Sequence, residues 1–197
     1  MRMGIIQGRL SRPDEGFQEC PKNWRREFEL LRALSIKNNI KNVTIPLLED
    51  SDVSEDSIRK QFCTLVKELS RKFDSINFSI EAELDPAKLE DILSLGENFS
   101  VTYDTGNITS CGIDHEKYIH RFKHKINNVH LKDRTFDAQT VAPATGDTDF
   151  KTIFKNLNKI NYTGVFTLQT ARGQSGLEIE TIAKHKELFQ ELYNERA

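Results

Sequence analysis

Two kinds of hydrophobic pattern alternate along this chain. Short runs rich in Val, Ile, Phe and Thr are mostly continuous, which is typical of strands buried on both faces of a parallel sheet. The longer segments between them carry apolar residues at every third or fourth position, the period of an amphipathic helix. The predicted strands are residues 3–7, 42–47, 77–84, 99–103, 127–131 and 164–168, and the predicted helices are 24–34, 54–73, 87–95, 116–123 and 149–160.

This order predicts an α/β fold in which about six strand–helix units share one domain over residues 1–197. A parallel sheet of that size could be open and doubly wound, or closed into a barrel. The first predicted strand runs into IIQGRLS, which contains a single glycine. A glycine-rich dinucleotide-binding loop is therefore a weak interpretation of the first unit.

Composition argues against several classes of function. The 197 residues carry a net charge of -2 and no long basic stretch, so we expect no nucleic-acid partner. Cys20, Cys63 and Cys111 lack the spacing of a zinc ribbon and are expected to be free thiols. The opening MRMGIIQGRL turns polar too early for a signal peptide, and no apolar run reaches the roughly 20 residues of a membrane span. We therefore expect a cytoplasmic protein with no membrane partner.

Side chains able to bind a metal ion stand at the ends of four predicted strands. Glu81, Asp104 and His130 end three successive strands, and Gln169 holds the matching place on a fourth. The C-terminal ends of parallel strands meet at one rim, so residues far apart in sequence would converge there. Carboxylate, imidazole and amide groups suit a divalent ion such as Mn, Mg, Co or Zn. In the alternative interpretation, the carboxylates are ordinary strand-end groups and His130 is a hydrogen-bonded core histidine.

Seven sequence segments, spread over most of the chain, carry a resemblance to a known family. They are GIIQGRLS, IPLLEDSD, IEAEL, YDTGN, NVHLKDR, GDTDFKTIFKNL and YTGVFTLQTARG. In their order and spacing they resemble the sugar phosphate isomerase/epimerase family, part of the xylose-isomerase-like TIM-barrel superfamily. The resemblance implies a TIM-barrel-like parallel (β/α) barrel, with a divalent metal held at Glu81, Asp104, His130 and Gln169. It also implies a small sugar or sugar phosphate as substrate, with Glu81 and Gln169 at the catalytic positions.

The sequence departs from that family in two ways. Related epimerases usually have glutamate at the position of Gln169, where it is both ligand and acid/base, whereas an amide cannot exchange a proton at neutral pH. Two strand–helix units are also missing, because the first unit runs almost directly into the segment that resembles the family's fourth strand. A TIM barrel usually takes about 250 residues, and a barrel of six units would expose strand edges. Two chains could pair as a homodimer across that gap, or the sheet could close with fewer strands.

Five further residues could contact a substrate at the same rim. Arg9 could hold a phosphate or carboxylate after the first strand, and Arg172 lies in the loop after the last strand, where TIM barrels often bind phosphate. Lys132 is two residues after His130, so alternation puts both side chains on the same side of the strand. Arg134 lies near a position where ketose epimerases tend to have an arginine, and Asn107 could touch a substrate hydroxyl. The alternatives are an exposed loop arginine at position 9 and an Asx turn at position 107.

Three histidines, His115, His120 and His124, lie on one predicted helical segment. The last two are four residues apart, a spacing that would suit a metal ion on one helix face. Lysines and arginines interleave these histidines, however, and a solvated basic helix face is the favoured interpretation.

The features together favour a divalent-metal-dependent sugar or sugar-phosphate isomerase or epimerase that moves a proton through an enediol(ate). Glu81 would bind the metal and shuttle the proton, while Asp104 and His130 would bind the metal. Gln169 would complete the set of ligands. The alternative is a catalytically impaired or inactive member that binds a sugar-like ligand or acts as a non-enzymatic partner. The two missing units and Gln169 favour this alternative.

Overall fold

A computed structural model describes residues 26, 29–30, 33–72 and 75–195 of the chain. Within these ranges a five-stranded parallel sheet is accompanied by a small two-stranded antiparallel sheet. The predicted first strand, residues 3–7, lies outside the described residues. The strands are β1 (Asn42–Leu47), β2 (Asn77–Ala82), β3 (Phe99–Asp104), β4 (Ile126–Leu131), β5 (Asp133–Arg134), β6 (Thr140–Val141) and β7 (Val165–Leu168).

The larger sheet has the strand order β1-β2-β3-β4-β7, and β5 pairs with β6 in the smaller one. A short 3-10 turn, Glu49–Ser51, follows β1. Every helix in the described ranges is too short or too polar to span a bilayer. Residues 33–37 are helical, and the helices that follow are α1 (Asp56–Lys72), α2 (Pro86–Leu93), α3 (Thr105–Ser110), α4 (His115–Arg121), α5 (Phe150–Lys159) and α6 (Glu178–Asn194).

Aspartate side chains begin three of the helices that the sequence predicts. The carboxylate of Asp85 accepts a hydrogen bond from the backbone N–H of Ala87 at 2.8 Å and precedes a proline at the first position of α2. Asp114 caps α4 and Asp149 caps α5 in the same way. Each carboxylate satisfies a backbone donor that has no partner inside the helix and favours the positive end of the helix dipole. The helix starts predicted near these aspartates are therefore confirmed.

The described residues form two compact units, and the boundary between them falls inside β3, between Val101 and Thr102. In the first unit, β1 and β2 pair in parallel over their whole length. The rings of Phe78 and Phe99 stack there with centroids 5.6 Å apart. Both rings are fully buried, and the continuous apolar runs of these strands fill the core of this unit as the sequence pattern predicts.

The second unit has an aromatic core. β4 pairs in parallel with β7, and Val129 lies opposite Phe166. Phe154 of α5 contacts Phe166 and Tyr193 edge to face, at centroid distances of 6.2 and 5.6 Å. Phe189 of α6 contacts the first turn of α5 in the same manner. These contacts hold α5 and α6 to β7, because aromatic pairs in this geometry gain energy beyond the burial of their surface.

The antiparallel β5–β6 pair was not predicted, and it is built around one buried carboxylate. Asp133 is fully buried. Its Oδ2 accepts hydrogen bonds from the backbone N–H groups of Thr145 and Gly146, at 3.1 and 2.9 Å, and its Oδ1 accepts one from Thr148 at 3.2 Å. Three backbone donors therefore replace the water that the carboxylate loses on burial. Asp133 therefore holds the loop between β6 and α5 against β5.

Candidate metal centre

The two carboxylate oxygens of Asp104, the last residue of β3, have different roles. Oδ1 accepts a hydrogen bond from the backbone N–H of Asn107 at 2.8 Å and so caps α3. Oδ2 lies 3.8 Å from Nδ1 of His130 and 3.6 Å from Nζ of Lys132. Asp104 and His130 are only 2% and 4% exposed. The cap holds the carboxylate in place, and its second oxygen faces the end of β4.

Thr105 fixes the start of α3 to the end of β4, a role that the sequence analysis missed. Its hydroxyl donates a hydrogen bond to the carbonyl oxygen of Lys132 at 2.6 Å and accepts one from the N–H of the same residue at 2.9 Å. The threonine of the YDTGN segment is the only sequence signal for this contact. Because Thr105 follows Asp104 directly, the clamp also sets the distance from Asp104 to the residues of β4.

Lys132 lies over a glycine and reaches an asparagine. A Cβ atom at Gly106 would come within 2.9 Å of Lys132 Cγ and 3.0 Å of Arg134 Cγ, so a larger residue would force these two side chains to shift. Nζ of Lys132 donates a hydrogen bond to Oδ1 of Asn107 at 3.3 Å. The structure thus brings together four residues that the sequence analysis selected: Asp104, Asn107, His130 and Lys132.

Gln169 follows β7, and its backbone N–H donates a hydrogen bond to the carbonyl oxygen of Leu131 at 3.1 Å. In the register of β4 and β7, His130 lies opposite Thr167. Gln169 is two residues further along, so alternation places it on the same side as His130. Its Oε1 atom is buried and accepts no hydrogen bond from the described residues. An unsatisfied buried acceptor costs about 1–3 kcal/mol, and a ligand or an ion at this atom would remove that cost.

The three predicted arginines differ in their surroundings. Arg134 is half-buried, and its Nη1 donates a hydrogen bond to Oγ of Ser110 at 3.3 Å. Arg172 is exposed and lines, with Gln169, a cavity of about 590 Å³ beside β7 and α6. Arg9 lies outside the described residues. Arg134 therefore follows Lys132 on the α3 side, and Arg172 lies with Gln169 on the α6 side.

Glu81 is the residue before the last one of β2, in the first unit. It is 1% exposed and lies opposite Pro46 in the parallel register of β1 and β2. A carboxylate at this level of burial needs hydrogen bonds, a counter-charge or a metal ion to offset its lost hydration. The position at a strand end agrees with the prediction from the sequence.

The three histidines do not form one solvated face, so that prediction is wrong for His115. Nδ1 of His115 lies 2.6 Å from the hydroxyl of Tyr103, and Nε2 lies 3.0 Å from Oγ1 of Thr109. His120 and His124 are exposed, as predicted. The ring of His115 points inward although its helix carries many basic residues, because hydroxyl groups of neighbouring elements lie within hydrogen-bonding distance of both ring nitrogens.

Burial sets the protonation of the groups around His115. It lowers the pKa of His115 to about 4, and the nearby carboxylates of Asp149 and Asp114 oppose this change only in part. Burial also raises the pKa of Tyr103 well above its ordinary value. At neutral pH the network therefore joins a neutral imidazole to a neutral phenol, directly beside Asp104 in sequence.

Solved structures share this fold at low sequence identity. The IolI protein with a bound zinc atom superposes with a TM-score of 0.76 at 16% identity, over 93% of this chain and 73% of the other. A D-tagatose 3-epimerase-like protein gives 0.72 at 17% identity, over 95% and 77%. A xylose isomerase domain protein from Planctomyces limnophilus gives 0.66 at 14% identity, over 86% of this chain. This chain spans only 64% of the Planctomyces protein.

A family model covers nearly the whole sequence, although no curated protein matches it. The model describes a xylose isomerase-like TIM barrel and matches residues 9–192. The five-stranded parallel sheet with its helices has the architecture of such a barrel in shortened form. The chain therefore belongs to the xylose isomerase-like TIM barrel family.

Proposed function

We propose that the protein is a divalent-metal-dependent isomerase or epimerase of sugars or sugar phosphates. The observation that carries the proposal is the buried pair at the ends of β3 and β4, where Asp104 Oδ2 lies 3.8 Å from His130 Nδ1. Two ligands that each lie about 2.1 Å from a tetrahedral ion are about 3.4 Å apart. The spacing of this pair is close to that value, and its oxygen and nitrogen donors suit Mn, Mg, Co or Zn.

Glu81 is the proposed third ligand, with Asp104 and His130. Glu81 stands near the C-terminal end of β2, as Asp104 stands at the C-terminal end of β3. The C-terminal ends of neighbouring parallel strands meet at one rim, which supports the choice of Glu81. Gln169 is the proposed fourth ligand, because its buried Oε1 is a neutral oxygen donor on the side of β7 that His130 shares.

A divalent ion bound at these residues would polarise the carbonyl and the adjacent hydroxyl of the sugar. Glu81 is the group that would remove a proton from the carbon next to the carbonyl, which gives an enediol(ate), and would return it to the former carbonyl carbon, while the hydroxyl proton would pass to the former carbonyl oxygen, so that the isomer forms. Asn107 and Lys132 would contact the substrate oxygens, since both side chains lie beside Asp104. Arg134 would hold a phosphate from the α3 side.

Two more arginines belong to the proposed substrate contacts. Arg172 would bind a phosphate or carboxylate from the exposed side of the cavity that it shares with Gln169. Arg9 is proposed for the same role from the sequence alone. A phosphate needs concentrated positive charge and N–H donors, and arginine supplies both in a planar fork.

Proton exchange with solvent tests this function directly. The protein would be incubated in deuterium oxide with manganese and a panel of ketoses and ketose phosphates, and label at the carbon beside the carbonyl would be followed by NMR. We expect incorporation that a chelator abolishes and that Glu81→Gln reduces by at least about 100-fold, the scale of a lost general base. Metal-loaded protein that exchanges no proton in any of these sugars would contradict the proposal.

Gln169 favours a second candidate, a family member that binds a sugar-like ligand without efficient turnover. An amide at this position can donate its oxygen to a metal, but it cannot take up a proton at neutral pH. Gln169→Glu would supply the missing carboxylate. The matched control is Gln174→Glu, which adds the same charge at an exposed position. If deuterium exchange into the sugar appears only with the Gln169→Glu protein, the result would support this second candidate and would argue against an active wild-type enzyme.

A further inference from the structure

We propose that the ammonium group of Lys132 takes the place of the metal's charge in the metal-free site, so that Lys132 sets the metal affinity. The inference rests on the proposed function, because it concerns the same ligands. Oδ2 of Asp104 lies 3.6 Å from Nζ of Lys132 and 3.8 Å from Nδ1 of His130. The lysine therefore faces the carboxylate oxygen that would bind the ion.

Burial makes this charge pair matter. The side chains of Lys132 and Asp104 are 11% and 1% exposed, so water screens their interaction poorly. A buried carboxylate needs hydrogen bonds or a positive partner to offset its lost hydration, and removing a positive partner is costly. Without a metal ion, the ammonium fulfils this need. A divalent ion at Oδ2 would meet the repulsion of the same ammonium at short range.

Lys132 has contacts at its backbone, at its stem and at its terminal amine. Its backbone N–H and carbonyl are both hydrogen-bonded to the hydroxyl of Thr105. Its aliphatic stem crosses Gly106, where a Cβ atom would collide with Cγ. Its Nζ donates to Asn107 Oδ1 at 3.3 Å. Rotation of its terminal bonds would move the amine away from Asp104, and Asn107 Oδ1 already accepts a hydrogen bond from it.

Metal binding would thus exchange one cation for another at Asp104. The displaced ammonium stays within the site and becomes available to an anionic oxygen of the substrate. This arrangement assigns Lys132 two successive partners, the carboxylate before the metal binds and the substrate afterwards. A lysine that served the substrate alone would leave the metal affinity unchanged, so the two roles can be separated by measurement.

The test compares zinc affinity in wild-type protein and in variants at one position. Lys132→Met removes the ammonium and keeps the length of the stem, and Lys132→Gln keeps a donor for Asn107. The matched control is Lys155→Met, which removes one positive charge from an exposed position on α5. Zinc dissociation constants would be measured by competition with a chromophoric chelator, after circular dichroism has shown that each protein is folded.

We expect both Lys132 variants to bind zinc at least about tenfold more tightly than wild type, because a like charge close to the ion is gone. The control should bind as wild type does. Without zinc, the same variants should have a lower melting temperature than the wild-type protein. Added zinc should raise their melting temperature by more than it raises that of the wild type, which provides a second readout. Equal or weaker zinc binding in both Lys132 variants would overturn the inference and leave the proposed function standing. Failure of every protein to bind zinc, manganese or cobalt would overturn the proposed function and the inference together.

Discussion

Replacing His115 by glutamine should make the protein less sensitive to mild acid. The ring of His115 is enclosed between the hydroxyls of Tyr103 and Thr109, and burial lowers its pKa from 6.5 to about 4. In the unfolded chain the same ring is hydrated and titrates near its ordinary value of about 6.5. The unfolded state therefore binds a proton at a pH where the folded state does not.

The sign and the size of the effect follow from that difference. The contribution of His115 to stability is complete above pH 6.5, falls as the pH is lowered toward about 4, and is constant below that. The pKa of His115 in the folded protein lies about 2.5 below its value in the unfolded chain, which corresponds to roughly 3 kcal/mol in total. Between pH 7 and pH 5, linkage gives a loss of about 2 kcal/mol in the free energy of unfolding.

Urea unfolding of wild type and His115→Gln at pH 7 and pH 5 measures this loss. Glutamine does not titrate, so the variant should lose about 2 kcal/mol less than wild type over this interval. His124→Gln is the matched control, because His124 is exposed and its removal should leave the pH dependence nearly unchanged. The reasoning is refuted if wild type and His115→Gln lose stability equally between the two pH values.

Two further predictions concern stability at neutral pH. Asp133→Asn should lower the free energy of unfolding by about 2–4 kcal/mol, because an amide nitrogen would face backbone N–H groups that now donate to a carboxylate oxygen. An unchanged free energy of unfolding in urea would contradict this prediction. Phe154→Ala should lower it by about 3–5 kcal/mol, because the ring is buried against Phe166 and Tyr193. The matched control is Phe136→Ala, which removes a ring that is 67% exposed and should change the free energy of unfolding by less than about 0.5 kcal/mol. Equal losses of stability in the two phenylalanine variants would contradict the account of the core.

The elements with strong periodicity could be predicted closely from the sequence. β1 spans Asn42–Leu47 as predicted, because a continuous apolar run between polar ends has clear limits. β2 ends at Ala82, two residues earlier than predicted. The reason is the short turn to Asp85, which must be complete before that side chain can cap α2. Strand ends next to a helix cap are therefore set by the cap and less by the apolar pattern.

Short elements held by tertiary contacts could not be predicted. α3 has the sequence TGNITS, which favours a helix only weakly, and it is held in place by the cap from Asp104 and by the burial of every residue before Ser110. β5 and β6 are two residues each, too short to show a period. The inward position of His115 depends on Tyr103 and Thr109, which lie on other elements. None of these features leaves a local pattern in the sequence.

The candidate site was predicted in composition but not in detail. Alternation along β4 places His130 and Lys132 on one side, so their convergence with Asp104 could be predicted. The sequence could not show that Lys132 Nζ approaches Asp104 Oδ2, because that distance depends on the passage over Gly106 and on the clamp by Thr105. The predicted ligand roles, including those of Glu81 and Gln169, stay predictions.

The metal content of protein purified without chelator tests the central claim most directly. Elemental mass spectrometry should find about one divalent ion per chain, either as purified or after addition of manganese, cobalt or zinc. The variant Asp104→Asn keeps an oxygen to cap α3 but removes the charge at Oδ2, and it should bind the divalent ion at least about tenfold less tightly than the wild type does. Asp137→Asn, at an exposed position, should bind as wild type does. A wild-type protein that holds no divalent ion under any of these conditions would contradict the account.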